Sequence, residues 1–137
     1  MASALYPLFK QKLLSQVDAI AFDADTVRCI FVTSTYVYSA LHDFFADLTN
    51  TIGDGGTGRA NGEVLVSPTL TDGVLDAADT VFAAVTGAAV NAIVLYKDSG
   101  VDATSPLIAY IDGISFTPNG GQVTIQWDAG AAKIFAL

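Results

Sequence analysis

Basic residues are scarce in this chain. Six Lys and Arg stand against fourteen Asp and Glu in 137 residues, a net charge of −8. The six are scattered rather than clustered. That argues against nucleic-acid binding, which needs gathered cations to displace counterions, and against an anionic membrane surface. Cysteine is nearly absent. Cys29 stands alone, so no intrachain disulfide framework is possible, and its apolar setting, TVRCIFVT, reads as a buried strand position. Histidine is equally rare. His42 has no partners at zinc-ligand spacing. No apolar run approaches the roughly 18–20 residues that span a bilayer. The opening MASALYPLFKQKLL lacks the charged region, apolar core and small-residue cleavage site of a secretory signal. These gaps set the expectation of a soluble protein that folds in the cytosol, without cofactor or metal.

What the chain does have is apolar content. Hydrophobic residues make up 52% and charged residues only 15%. This excess, spread through short segments, is the composition of a protein that buries surface against other subunits. All but one of the acidic residues are Asp, the acid favoured in turns. Length points to a single domain with a core of its own.

The segment 89–135 organises the rest. AVNAIVLY (89–96) and PLIAYI (106–111) are apolar on both alternating faces, so both must be covered. QVTIQW (122–127) alternates strictly, with Val123, Ile125 and Trp127 inward and Gln122, Thr124 and Gln126 outward. Asn119-Gly120-Gly121 and Asp128-Ala129-Gly130 mark turns, and KIFAL adds Ile134, Phe135 and Leu137 to the core. Further strands are expected at 26–34 and 63–70, followed by a turn at Asp72-Gly73 and two short strands within 73–87. Strands this short, with turn signals roughly 8–12 residues apart, predict a mainly β fold. The architecture expected is an antiparallel β-sandwich spanning 1–137 as one domain.

Two helices complete the expectation. Leu5, Leu8, Phe9 and Leu13 recur near helical spacing over 4–16, with Ser3 as cap, Pro7 in the first turn, and Lys10 and Lys12 off the apolar stripe. A short helix is expected after Ser39, containing His42, Asp43, Phe44 and Phe45. His42 beside Asp43 is not half of a triad, since neighbours in sequence do not face each other on a helix. Asp23 and Asp25 lack the further oxygen ligands of a hard-cation site. The glycine-rich loop TNTIGDGGTGRANG (49–62) is not a phosphate loop: it lacks G-x-x-x-x-G-K-[ST], and Arg59 is its one cation. Its composition predicts a mobile segment that orders against a neighbour. No catalytic, cofactor-binding or metal-binding residues stand out.

ALYPLFKQKLL, YVYSALHDFFADL, TDGVLDAADTVFAAVTG, AIVLYKDSGVDATSPLIAYID and FTPNGGQVTIQWDAGAAKIFAL together resemble small structural proteins of tailed bacteriophages. The resemblance covers nearly the whole chain and matches least at the glycine loop. It implies a non-enzymatic virion protein, foremost a capsid decoration (cement) protein. Such a protein forms a homo-oligomer, is assembled in the host cytoplasm, and bridges subunits of the major capsid protein. A tail, baseplate or fibre-associated protein is the alternative. Expected interface residues are Tyr6 and Phe9 on the N-terminal helix, and Gly55 and Arg59 in the loop. A carbohydrate-binding sandwich is a further alternative, with Trp127, Tyr36, Tyr38, Tyr96 and Tyr110 as stacking platforms.

Overall fold

A computed structural model describes residues 3–17, 20–22, 24–127 and 134–136. Among these are eleven strands: β1 (Ala4–Leu5), β2 (Val27–Thr33), β3 (Thr51–Ile52), β4 (Glu63–Val64), β5 (Val66–Thr71), β6 (Val74–Ala78), β7 (Thr80–Phe82), β8 (Val90–Lys97), β9 (Leu107–Phe116), β10 (Val123–Ile125) and β11 (Phe135–Ala136). One α-helix, α1, covers Pro7–Ser15. The fold is mainly β, and every strand pair is antiparallel.

The central sheet runs β1-β9-β8-β2-β3, with β4 also paired to β2. β8 lies in the middle because its sequence leaves no alternative. VNAIVLYK is apolar on both faces, and Ala92 to Tyr96 are all fully buried. Each large side chain buried this way stabilises the fold by about 1.5–3 kcal/mol. Cross-strand register sorts the two faces, because directly opposed residues share a side. Cys29 opposes Leu95 and Phe31 opposes Ile93 on one face; Ile30 opposes Val94 on the other, where Val94 also opposes Tyr110.

The first face carries the two smaller sheets, β10-β7 and β11-β6-β5. The Phe31 and Phe82 rings meet there at 4.4 Å. Ile134 and Phe135 face Leu5, Ala109 and Ile111 across a shallow cleft. The second face is covered by the irregular segment 34–48, with Phe45 on Tyr96 at 4.8 Å and Tyr38 on Tyr110 at 5.5 Å. The arrangement is sandwich-like, with sheet on one side of the central layer and aromatic loop on the other.

Much of the strand reading holds. Val123 and Ile125 turn inward while Gln122, Thr124 and Gln126 are exposed. β6 and β7 are the two short strands expected within 73–87, and Asp72 and Gly73 both have positive φ, as the tight turn between β5 and β6 requires. β9 outruns its expected end by five residues. It passes through Gly113, whose φ of +85° accommodates an irregularity between the Val90 and Ala92 pairings. The Asp128-Ala129-Gly130 turn, Asp23, Lys133 and Leu137 lie outside the described residues.

The helices differ from expectation. Ala4 and Leu5 pair with β9 rather than joining α1, which starts at Pro7. Ser3 does not cap it; the Ser3 hydroxyl accepts the Asp112 N–H at 2.8 Å. Lys12 is buried rather than solvated, ion-paired to Asp43 and lying 4.8 Å over the Phe44 ring. The second helix shrinks to a single 3-10 turn, Phe45–Asp47. Ser39 caps nothing longer than a turn to Leu41, while the Asp47 carboxylate takes the Asp43 and Phe44 N–H groups and stops the helix from extending backward.

Candidate interaction surface

The glycine-rich stretch 49–62 includes β3 and leads back to β4. Its glycines are where they are because the backbone is crowded. Gly62 sits against the Tyr96 hydroxyl and the Cys29 carbonyl, so a Cβ there has no room. Gly55 has φ +66°, the left-handed region. Asn61 is the hub. Its side-chain Oδ1 accepts the Gly58 N–H at 3.1 Å and its Nδ2 donates to the Asp54 carbonyl at 3.0 Å. The Asn61 carbonyl accepts the Asp54 N–H at 2.7 Å. The loop is then tied to residue 84: Gly55 N–H donates to the Ala84 carbonyl at 2.8 Å, and the Asp54 carboxylate accepts the Ala84 N–H at 3.0 Å. The Tyr96 hydroxyl reaches in from β8 and donates to the Arg59 carbonyl at 2.5 Å. The expectation of a mobile segment awaiting a neighbour is overturned, because the chain itself supplies the partners.

Arg59 is likewise spent within the chain. Its Nε donates to Asp98 at 2.6 Å and its Nη1 to Asp102 at 2.7 Å. Arg28 donates Nε to the other Asp98 oxygen at 2.8 Å and Nη1 to the Gly62 carbonyl at 2.7 Å. Asp98 therefore joins β2, the glycine loop and the end of β8. Partial burial pushes its carboxyl up, but the Gly100 N–H and the two guanidinium groups outweigh this and hold it below the usual carboxylate range. Glu63, on β4, is pushed up by burial and by Asp54 beside it.

Tyr6 and Phe9, expected at an interface, lie in the core. Tyr6 is wholly buried and Phe9 nearly so. Phe9 packs edge-on against Phe22 and Phe135, both about 6.1 Å away. The helix buries this face because β1 fixes the chain to the sheet one residue before Tyr6, turning the aromatic ring inward. Of the four expected interface residues, Gly55 alone is exposed. The stacking platforms meet the same outcome: Tyr36, Tyr96 and Tyr110 are buried, Tyr38 and Trp127 half-buried, and the Trp127 indole N–H donates to Thr80 at 3.2 Å.

The surface instead presents other features. Of the five described Lys and Arg residues, Lys12, Arg28, Arg59 and Lys97 are ion-paired, Lys97 to Asp25 at 3.3 Å, while Lys10 stands exposed on α1. The outer surface is correspondingly acidic. Large apolar side chains stand in water: Leu14 (89% exposed), Leu41 (84%), Val37 (75%) and Val17 (64%), with Val66 and Leu70 on the edge strand β5. An open groove of about 510 Å³ runs beside β3, lined by Thr33, Thr35, Asn50, Thr51, Thr57 and Thr86 with Ile52 at its base. It offers hydroxyl and amide groups that can hydrogen-bond a neutral ligand. Among the described residues no three His, Cys, Asp or Glu side chains gather as metal ligands, and no helix is long and apolar enough to cross a membrane.

The ion-paired core of this surface escaped sequence reading because its members are far apart. Arg59 and Asp98 are 39 residues apart, and Lys12 and Asp43 are 31. The exposed Val37 and Leu41 carried a weak signal, two aliphatics in an aromatic-rich stretch with no helical or strand period. Neither a known family model nor a curated protein sequence matches the chain.

Proposed function

We propose that the protein is a non-enzymatic structural component of a phage particle. The favoured role is capsid decoration, in which copies of the chain associate with one another and with the major capsid protein. The observation that carries this reading is the set of large aliphatic side chains left in water, Leu14, Val17, Val37 and Leu41. A chain whose core is already filled gains from them only by burying them against another protein. The acidic exterior supports the same reading by suiting a more basic partner surface. The resemblance to small virion proteins supplies the setting. In it, each contact can be shallow, because symmetry repeats it many times over the shell.

The test is to locate and count the protein in purified particles by cryo-EM and quantitative gel densitometry. Many copies spread over the head are expected. A handful of copies, or density confined to one end of the particle, would move the protein to the tail. Absence from particles would remove the reading altogether.

A further inference from the structure

A hydrogen-bonded chain runs from the core to the surface beneath residues 34–42. The Tyr6 and Tyr36 hydroxyl oxygens are 2.8 Å apart, and the Tyr36 hydroxyl is 2.7 Å from His42 Nδ1. Tyr6 is wholly buried, Tyr36 nearly so, and His42 half-buried. With neutral His42 the proton count closes. Tyr6 donates to Tyr36, Tyr36 donates to the Nδ1 lone pair, and two hydroxyl protons fill two contacts. Protonated His42 brings a third proton to the same two contacts. Whichever way the chain then points, one donor in a nearly dry site has no acceptor, which is costly. Burial pushes both phenols up, Tyr36 to about 12, so neither hydroxyl sheds its proton to relieve the excess.

The segment above this chain has little else holding it. Among the described residues, the backbone bonds of 34–42 are local: Tyr36 N–H to the Thr33 carbonyl, and His42 N–H to the Ser39 carbonyl. From residue 43 onward the situation changes. The Leu107 N–H donates to the Asp43 carbonyl and the Phe45 N–H to the Ser105 carbonyl, each at 2.8 Å, and Phe44 bridges Pro106. Residues 34–42 are therefore seated through aromatic contacts of Tyr36 and Tyr38 with Tyr6 and Tyr110, plus the hydroxyl chain.

We propose that residues 34–42 form a strap that acid releases: protonation of His42 overfills the Tyr6–Tyr36–His42 chain, and the segment leaves its aromatic seat while 43–48 stays docked. The charged groups around His42 modulate the release. Asp47, in the docked stretch 43–48, is the carboxylate that interacts with His42. Asp43 is engaged by Lys12 of α1, and on the β9 side the neighbours are Tyr110 and, acting on it, Asp112. Release uncovers the Tyr6 and Tyr110 rings and the apolar face behind them. Returning to neutral pH reseats the strap.

Hydrogen exchange of the full chain, corrected for intrinsic rates, tests this at about pH 7.5 and about pH 5.5, either side of the imidazole range. Exchange of the Tyr36 and His42 amides, which donate to the Thr33 and Ser39 carbonyls, is expected to rise about tenfold at the lower pH, the factor that an orphaned buried donor implies. Exchange across 93–96 is expected to hold steady. His42→Gln, which keeps an acceptor without a titrating ring, is expected to lose the pH dependence. Tyr36→Phe is expected to lose it as well, with the strap loosened at both values. Equal exchange of the Tyr36 and His42 amides in the wild type at both pH values would overturn the proposal. So would acid loosening of 93–96 in step with the strap, or a pH response surviving in either variant.

Discussion

Two loops leave β2 and its neighbour β3, and they are held in opposite ways. The glycine loop, 49–62, has the composition of a flexible linker, yet Asn61, Asp54, Arg59 and Tyr96 bind it at both backbone and side-chain level. The segment 34–42 is rich in aromatic and aliphatic residues, yet its backbone bonds stay local and its hold is mainly side-chain packing. Composition alone ranks the first as the looser. Connectivity ranks it as the tighter, because glycine here permits close backbone approach rather than motion.

The sharpest break in that comparison is to delete 53–58. The deletion removes the bonds to Asn61 and Ala84 together. At about 1 kcal/mol for each of several bonds, the loss is on the order of 5 kcal/mol, and chemical denaturation is expected to show a chain that is largely unfolded or far less stable. An unchanged midpoint would mean that the loop is an ornament after all. Replacing position 37 and positions 39–41 by Gly and Ser, with Tyr38 kept in its place on Tyr6 and Tyr110, is expected to cost about 1 kcal/mol or less, since these positions contribute exposed side chains and a local turn.

Next in size is Asp98→Asn, which leaves Arg28 and Arg59 short of a shared carboxylate. A loss of about 3 kcal/mol is expected at neutral pH. The sign with pH follows from the direction of the Asp98 shift. Its folded carboxyl lies below the ordinary range, so its contribution is present above the unfolded value. That contribution is lost as pH falls through the folded one, in the region below about pH 4. The wild-type and Asp98→Asn stabilities, followed by urea titration, are expected to converge there. Persistence of the full difference at pH 2 would count against the network. Smallest is the pair Val37→Ser and Leu41→Ser. Monomer stability is expected to shift by less than about 0.5 kcal/mol. Self-association or docking on particles, measured by sedimentation, is expected to weaken.

How far the sequence could be read follows the same division. The two-sided apolar runs at β2, β8 and β9 and the alternation at β10 were legible, because burial pattern is written in neighbouring residues. The Asp72-Gly73 turn was legible for its local chemistry. Long-range pairings were not. Nothing near Arg59 in the sequence announces Asp98, and nothing near Lys12 announces Asp43. Tyr6 and Phe9 were misplaced because a helical stripe shows which side is apolar, not whether it meets the chain's own core or another protein. Two residues of pairing at β1 decide that, and two-residue strands have no pattern to read.

Native-state hydrogen exchange at neutral pH, resolved to single amides, bears most directly on the contrast between the loops. The amides of Gly53, Asp54, Gly55 and Asn61 are expected to be protected to a degree approaching those of β8, and the amides of 37–40 to exchange close to their intrinsic rates. Fast exchange throughout 53–61 together with protection of 37–40 would contradict it.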